Sequence, residues 1–463
     1  MTSVMPRAAA PRASIGSLAH RAMQALRSRV VWFVMERYSA AAFGFLLTAS
    51  LTRGAQLDRL AEYLAAFALT SVFEPLFAAS IGSYLLKVVR LAETPALADQ
   101  TFRSIFWTMQ VVAILFVAAA FALCLALPGD HLITALFFLQ IVFTPWKLFT
   151  APLIARDQFM RVIPVQVSAN IIAGVVRVGV ALATHNLYLI PVLMCLEAVI
   201  AGPIIKSRAG VKLLTRAPLS KEVTLTLARQ LPALMGVMVL VCLFYRSPVM
   251  LAHFDLGAAA VVRIALAMQV VTAFGVIQAA LADSLIGPLA HALDTDTHFM
   301  KLLSMGSAVQ LAYGLAVCLL LWTFGQPLLS FAFGRRADMV GPIIAAVAPL
   351  CLLSGLARLT NTVINLRARP VLMVIIWGGA IVGQGVAAVL LLTWRSAFVV
   401  AVMMPVSLVI GLCLALLFGG ARRYVAEVMF GFRRIVLSPS QWPAVVALML
   451  GGRSEAARAS AGR

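Results

Sequence analysis

The chain has 463 residues, of which 62% are apolar and 12% charged, with a mean hydropathy of +0.99. A soluble domain carries roughly 25% charged residues, so this composition excludes a water-soluble fold and requires a bilayer as solvent. The formal charge of +20 does not mark a nucleic-acid partner, because Lys and Arg fall in short segments between apolar runs, as in membrane proteins.

In chain order, residues 1–29 form a basic cytoplasmic tail with Arg7, Arg12, Arg21, Arg27 and Arg29. No convincing signal peptide precedes the first long apolar run. Ile15 through Leu26 reads either as a short amphipathic helix on the inner surface or as a disordered tail. A membrane span needs roughly 20 apolar residues. Twelve such stretches are expected, at 30–51, 62–89, 104–128, 131–154, 162–184, 187–205, 230–253, 259–286, 302–323, 340–366, 371–393 and 396–418. The basic segment 206–229 holds Lys206, Arg208, Lys212, Arg216, Lys221 and Arg229. It divides the chain into lobes at 30–205 and 230–418, with 419–463 as a second cytoplasmic basic tail. The run Val445–Leu450 is too short to span and is placed at the interface beside Trp442. The expected fold is all-α, a polytopic membrane protein of about 12 transmembrane helices in two six-helix lobes around a central lumen. Two equal halves joined by a basic inner loop are common among alternating-access transporters.

With the N-terminus in the cytoplasm, most of the 37 Lys and Arg lie inside, and Arg53, Arg59, Arg335, Arg336 and Arg395 lie outside. This asymmetry places both termini in the cytoplasm. Cys124, Cys195, Cys242, Cys318, Cys351 and Cys413 all sit in apolar runs without a CxxC pair, so they read as small packing residues. The histidines show no metal-ligand spacing. No phosphate-binding loop, GxSxG or HExxH is present. We therefore expect no cofactor, no metal, no direct ATP use and no enzyme activity.

Cations inside the apolar spans carry the functional signal, since a charge in hydrocarbon costs roughly 3 kcal/mol on insertion scales. The embedded cations are Arg37, Lys147, Arg177, Arg246, Arg263 and Arg358, with Arg263 close enough to the outer surface to snorkel. Residues at i, i+3, i+4 and i+7 share a helix face. Cys351, Ser354, Arg358, Asn361, Thr362 and Asn365 form one polar stripe, and Gln166, Asn170, Gly174, Arg177, Ala181 and Thr184 another. Gln140, Thr144, Lys147 and Ala151 form a third, and Arg37, Ala41, Gly44 and Thr48 a fourth. Such stripes either line a wet lumen or pack helices through interhelical hydrogen bonds. The lumen alternative makes Arg37, Lys147, Arg177, Arg358, Asn170 and Asn361 candidate ligands for an anionic substrate. Glu74, beside the helix-disrupting Pro75, is a candidate coupling or gating carboxylate, or else one satisfied by Arg37 or Arg177; Glu36, whose neighbour Arg37 points about 100° away on the helix, is a second candidate, expected to pair across helices. Pro145-Trp146 precedes Lys147, Pro248 follows Arg246, and Pro405 interrupts the last span, punctuation that suits moving helices.

Short passages carry a family resemblance. Leu51-Thr52-Arg53-Gly54 and Leu60-Ala61-Glu62-Tyr63 follow the first span, and Ala79-Ser80-Ile81-Gly82-Ser83-Tyr84-Leu85 lies near the end of the second. Phe244-Tyr245-Arg246-Ser247 through His253-Phe254 stands at the matching start of the second half. Over about residues 30–420 the chain resembles the polysaccharide transporters, or Wzx-type lipid-linked oligosaccharide flippases. These belong to the multidrug/oligosaccharidyl-lipid/polysaccharide exporter (MOP) superfamily. The resemblance implies two lobes in a V around a cationic lumen. It also implies transfer of a polyprenyl-diphosphate-linked sugar across the bacterial inner membrane for exopolysaccharide synthesis, coupled to ion or potential gradients. Polymerase or glycosyltransferase partners would act on the same lipid-linked sugar. The rivals are an ion-coupled multidrug exporter of the same superfamily and, from another class, a membrane polysaccharide polymerase or glycosyltransferase.

Overall fold

The computed structural model describes residues 15–78, 81–82, 85, 94–129, 131–155, 158–184, 186–210, 221–292, 295–334, 340–366 and 370–433. Arg335, Arg336, Trp442 and the 445–450 run lie outside the described residues, as do the side chains of Asp283 and Asn365. The protein is an all-α polytopic membrane protein, and the described residues contain no strand. Eleven helical segments among them are long and apolar enough to cross a membrane. The other expected span, 30–51, lies within α1 (Ile15–Gly54), which runs unbroken for 40 residues. At 1.5 Å per residue that is roughly 60 Å, twice the hydrocarbon thickness. The amphipathic segment expected at 15–26 is thus the first part of a continuous rod.

The helices that follow are α2 (Leu57–Phe73), α3 (Pro95–Ala126), α4 (Leu132–Phe143), α5 (Thr150–Ala155) and α6 (Ile163–Thr184). The sixth span is split into α7 (Leu189–Leu193) and α8 (Leu196–Ala209). The second half comprises α9 (Lys221–Asp255), α10 (Ala258–His291), α11 (Asp296–Phe333), α12 (Gly341–Val347), α13 (Pro349–Leu366), α14 (Pro370–Trp394) and α15 (Ala397–Leu417). Helix α9 begins inside the segment expected as a linker, and α16 (Gly419–Phe430) occupies the start of the expected tail. This last helix lies against α11, α13 and α15. Ser304 donates to its Glu427 carboxylate, Ser307 donates to the Val428 carbonyl, and Phe299 packs edge-on against Tyr424.

Two interruptions have a visible cause. A proline has no N–H to give and crowds the preceding turn. At Pro75 the second span tightens into a 3-10 segment, Glu74–Phe77, and at Pro145 the fourth does the same over Thr144–Phe149. A stretch of 3-10 helix within a longer helix often marks a hinge. The sixth span breaks at Met194-Cys195, and the tenth breaks at Ala348 before Pro349. By contrast, α9 continues through Pro232 and Pro248, and α15 continues through Pro405. The expected interruption at Pro405 is absent: α15 is continuous through it and packs closely on α14, which lets neighbouring groups accommodate the proline.

Small residues permit close approach where no hydrophobic drive between helices exists in lipid. Gly411 of α15 lies against the Ile376 carbonyl of α14, and Gly383 against Ser407. In the first half Gly174 of α6 receives the Phe43 ring of α1. The two halves meet where α1 and α2 pack on α9 and α10. There Thr48 donates to Gln269 Oε1 at 2.9 Å. At the end where α1 finishes, Arg53 donates to the Phe331 carbonyl at 2.9 Å, and the rings of Phe45 and Phe333 lie 5.1 Å apart.

Candidate functional site

The proline-induced breaks bring opposite charges face to face. Lys147, in the 3-10 segment after Pro145, donates from Nζ to Glu74 Oε1 at 3.0 Å, and Glu74 itself opens the segment containing Pro75. Glu197, in the first turn of α8 after the break in the sixth span, places its carboxylate 4.0 Å from the same Nζ. Glu36 of α1 also lies within electrostatic reach of Lys147. The side chains of Lys147, Glu74 and Glu197, from three different spans, keep 35%, 29% and 20% of their surface open. Charges this deep are tolerated where they line a water-filled cavity and pair with one another.

Three embedded arginines have no ion-pair partner among the described residues, and two of them, Arg177 and Arg246, lie within electrostatic range of this network. Arg177 of α6 donates to the Ala173 carbonyl and to Met194 Sδ, both at 3.0 Å, and has Glu197 only at longer electrostatic range. Arg246 of α9 stacks its guanidinium 5.1 Å above the Phe67 ring of α2, with Glu74 at longer range. This contact is a cation–π interaction across the seam of the halves. Arg358 of α13 lies within electrostatic reach of Tyr245 on α9, and its Nε is buried without a hydrogen-bond partner. Arg37 is half-buried on α1.

The four stripes divide along chemical lines. Asn170 donates to the Glu36 carbonyl and to Ser39 Oγ, both at 3.1 Å, and so fastens α6 to α1. Asn361 accepts from the Trp377 indole at 3.1 Å. Ser354 donates to Gln278 Oε1 at 2.8 Å, and Gln278 donates in turn to the Cys351 carbonyl. Gln310 completes this buried knot by donating to the Gln278 carbonyl at 3.0 Å. The neutral polar residues of these stripes thus mainly pack helices, whereas Lys147 is held by carboxylates and Arg177 and Arg358 have none within ion-pair distance among the described residues. The partner of Glu74 is Lys147, a pairing that neither Arg37 nor Arg177 provides.

Arg246 was expected only as an embedded cation, and Glu197 was not among the candidate site residues. The position of Glu197 depends on a helix break with no proline at the break itself. For Arg246, the proline two residues on gave a signal, but its aromatic partner on another helix gave none.

No protein-family model matches the chain, and no curated protein matches it in sequence. Solved structures do match in shape. The lipid II flippase MurJ in an inward closed conformation superposes with a TM-score of 0.59 at 12% identity, over 91% of this chain and 96% of that one. The MATE transporter VcmN of Vibrio cholerae superposes at 0.62 and 14% identity, over 89% and 100%. A MOP superfamily transporter of Pyrococcus furiosus, described as having a binding pocket of reversed polarity, superposes at 0.56 and 11% identity, over 87% and 97%. The chain has the MOP transporter fold. Within that fold the charged network lies among spans one, two, four, five, six and seven. Arg358, whose Nε has no hydrogen-bond partner, belongs to the second half.

Proposed function

We propose that this protein is a flippase that carries a polyprenyl-diphosphate-linked oligosaccharide across the cytoplasmic membrane for surface polysaccharide synthesis. Both termini are in the cytoplasm, and the two lobes, 30–205 and 230–418, rock about a cationic lumen. The observation that carries this reading is that Arg177, Arg246 and Arg358 have no carboxylate within ion-pair distance among the described residues. An uncompensated buried charge is costly, and a diphosphate supplies the missing counter-charge. Guanidinium forks bind phosphate bidentately and replace its hydration. The lipid tail stays in hydrocarbon while the headgroup crosses.

In this scheme Lys147 is a conditional ligand. Glu74 and Glu197 hold it until an incoming anion competes, and Glu74 is then released to act as the coupling carboxylate. Arg37 adds positive charge from α1, while Asn170 and Asn361 position the helices that carry the arginines. A multidrug exporter for cationic drugs would need a free carboxylate, and here Glu74 is engaged by Lys147.

Leaflet-resolved analysis of polyprenyl-linked glycans after depletion of the protein tests the proposal. Accumulation in the inner leaflet supports it. Unchanged glycan distribution together with lost efflux of cationic dyes would replace it with the drug-export reading. A missing sugar linkage would replace it with an enzyme.

A further inference from the structure

A cavity of about 600 Å³, lined by none of Lys147, Glu74, Glu197 and the three arginines, lies toward the end of the protein where α1 finishes. That is within the roughly 300–1,000 Å³ typical of ligand sites. Its walls come from α2, α3 and α4 of the first half and from α9 of the second, so it straddles the seam.

The lining is graded. Glu62, His131, Thr134 and His253 ring the mouth, and Arg59 is tethered to Glu62 at 3.2 Å. The walls below are Ala65, Leu69, Ala120, Leu123 and Cys124. The floor is an aromatic trio in which Phe73 lies 5.3 Å from Phe116 and 6.1 Å from Phe138. From Glu62 to Phe73 along α2 is roughly 16 Å, at 1.5 Å per residue. That depth is about half of a ~30 Å hydrocarbon core. Of its apolar lining, Leu123 is 60% and Phe254 82% exposed, so the slot is open to the outside of the bundle beside them.

A slot that is polar at one end, apolar along one leaflet's depth and closed by rings has the polarity profile of a lipid in that leaflet. We infer that it binds one acyl chain of a glycerophospholipid from the leaflet facing the Arg53 end, with the headgroup among Arg59, His131 and His253. A polyprenyl tail is far longer than this depth, and the aromatic floor stops it from passing through, so the occupant is not the transport cargo. Because α9 supplies Met250, His253 and Phe254 to the slot, the bound chain contacts both halves at once. It thereby favours the arrangement in which they meet at Arg53 and Phe331. The inference does not depend on the identity of the cargo.

The test uses the full chain in vesicles of phosphatidylethanolamine and phosphatidylglycerol, doped with phosphatidylethanolamine carrying a diazirine at its chain end. Adducts are mapped after irradiation. Those on Leu69, Phe73, Ala120 and Cys124 are expected to exceed those on the lipid-facing Val382 and Val386 of α14 by about tenfold. Ala120→Trp fills the slot and should bring its yield down to that of α14. Thr134→Trp, which narrows the mouth, gives the same readout should the first variant fail to fold. Equal labelling of slot and α14 overturns the inference. So does preferential labelling by a diazirine polyprenyl phosphate in place of the phospholipid, and so does undiminished slot labelling in folded Ala120→Trp or Thr134→Trp.

Discussion

Removing the Glu74 carboxylate tests the central network most directly. At an effective dielectric of about 20, opposite charges at 3.0 Å attract by about 5 kcal/mol and at 4.0 Å by about 4 kcal/mol, before desolvation. Lys147 has Glu74 at the first distance and Glu197 at the second. Glu74→Gln therefore leaves Lys147 a substitute partner and relieves the burial of one carboxylate, so the expected loss is only about 1–2 kcal/mol. Glu197→Gln alone should cost about 1 kcal/mol or less. The double variant strands the ammonium between two neutral amides. Breaking a buried pair costs about 3–5 kcal/mol, and the low end applies because Lys147 keeps 35% of its surface open. The double loss should thus exceed the sum of the singles, and adding Lys147→Met should restore most of it. Unfolding of the purified protein in detergent, followed through tryptophan fluorescence, reads these differences. Additivity within about 0.5 kcal/mol would mean that the two carboxylates do not share one cation, and the network would fall with it.

Other consequences are as specific. Arg177→Ala and Arg358→Ala should each reduce export of the lipid-linked sugar by at least about tenfold while insertion and expression stay normal. Full export by the double variant removes the lumen assignment. Asn170→Ala should lower stability by about 1–3 kcal/mol through loss of its bonds to α1, while leaving the relative export of different cargoes unchanged; an altered cargo preference would make Asn170 a ligand. Gly411→Ala drives a methyl group into the Ile376 carbonyl and should destabilise α14–α15 packing by about 1–3 kcal/mol, seen as a lower unfolding temperature. Arg53→Ala removes the bond to the Phe331 carbonyl. It should raise the labelling rate of a cysteine placed at Phe45 by a membrane-impermeant thiol reagent added from that side. An unchanged rate would show that this contact does not hold the halves together.

Hydropathy made the spans legible, because the length of an apolar run must match the thickness of a bilayer. It also exposed the embedded cations, since any charge stands out in such a background. Pro75 and Pro145 announced two breaks correctly. The same rule misplaced one at Pro405, where α15, packed on α14, is continuous. The stripes were visible as stripes, but their purpose was not. Cys351 and Ser354 share a face with Arg358, yet Gln278 from α10 claims the first two.

From its residues alone this chain dictates a membrane-embedded helical bundle that holds more positive charge than negative in its interior. Periodicity and chain length suffice for that, because both are local properties. Which carboxylate meets Lys147 was settled only in three dimensions: Glu74 lies 73 positions away, and helix rotation, set by packing against neighbours, decides where each charge points. The same holds for the three arginines left without counter-ions, because an unfilled partnership becomes visible only once every other residue has taken its place.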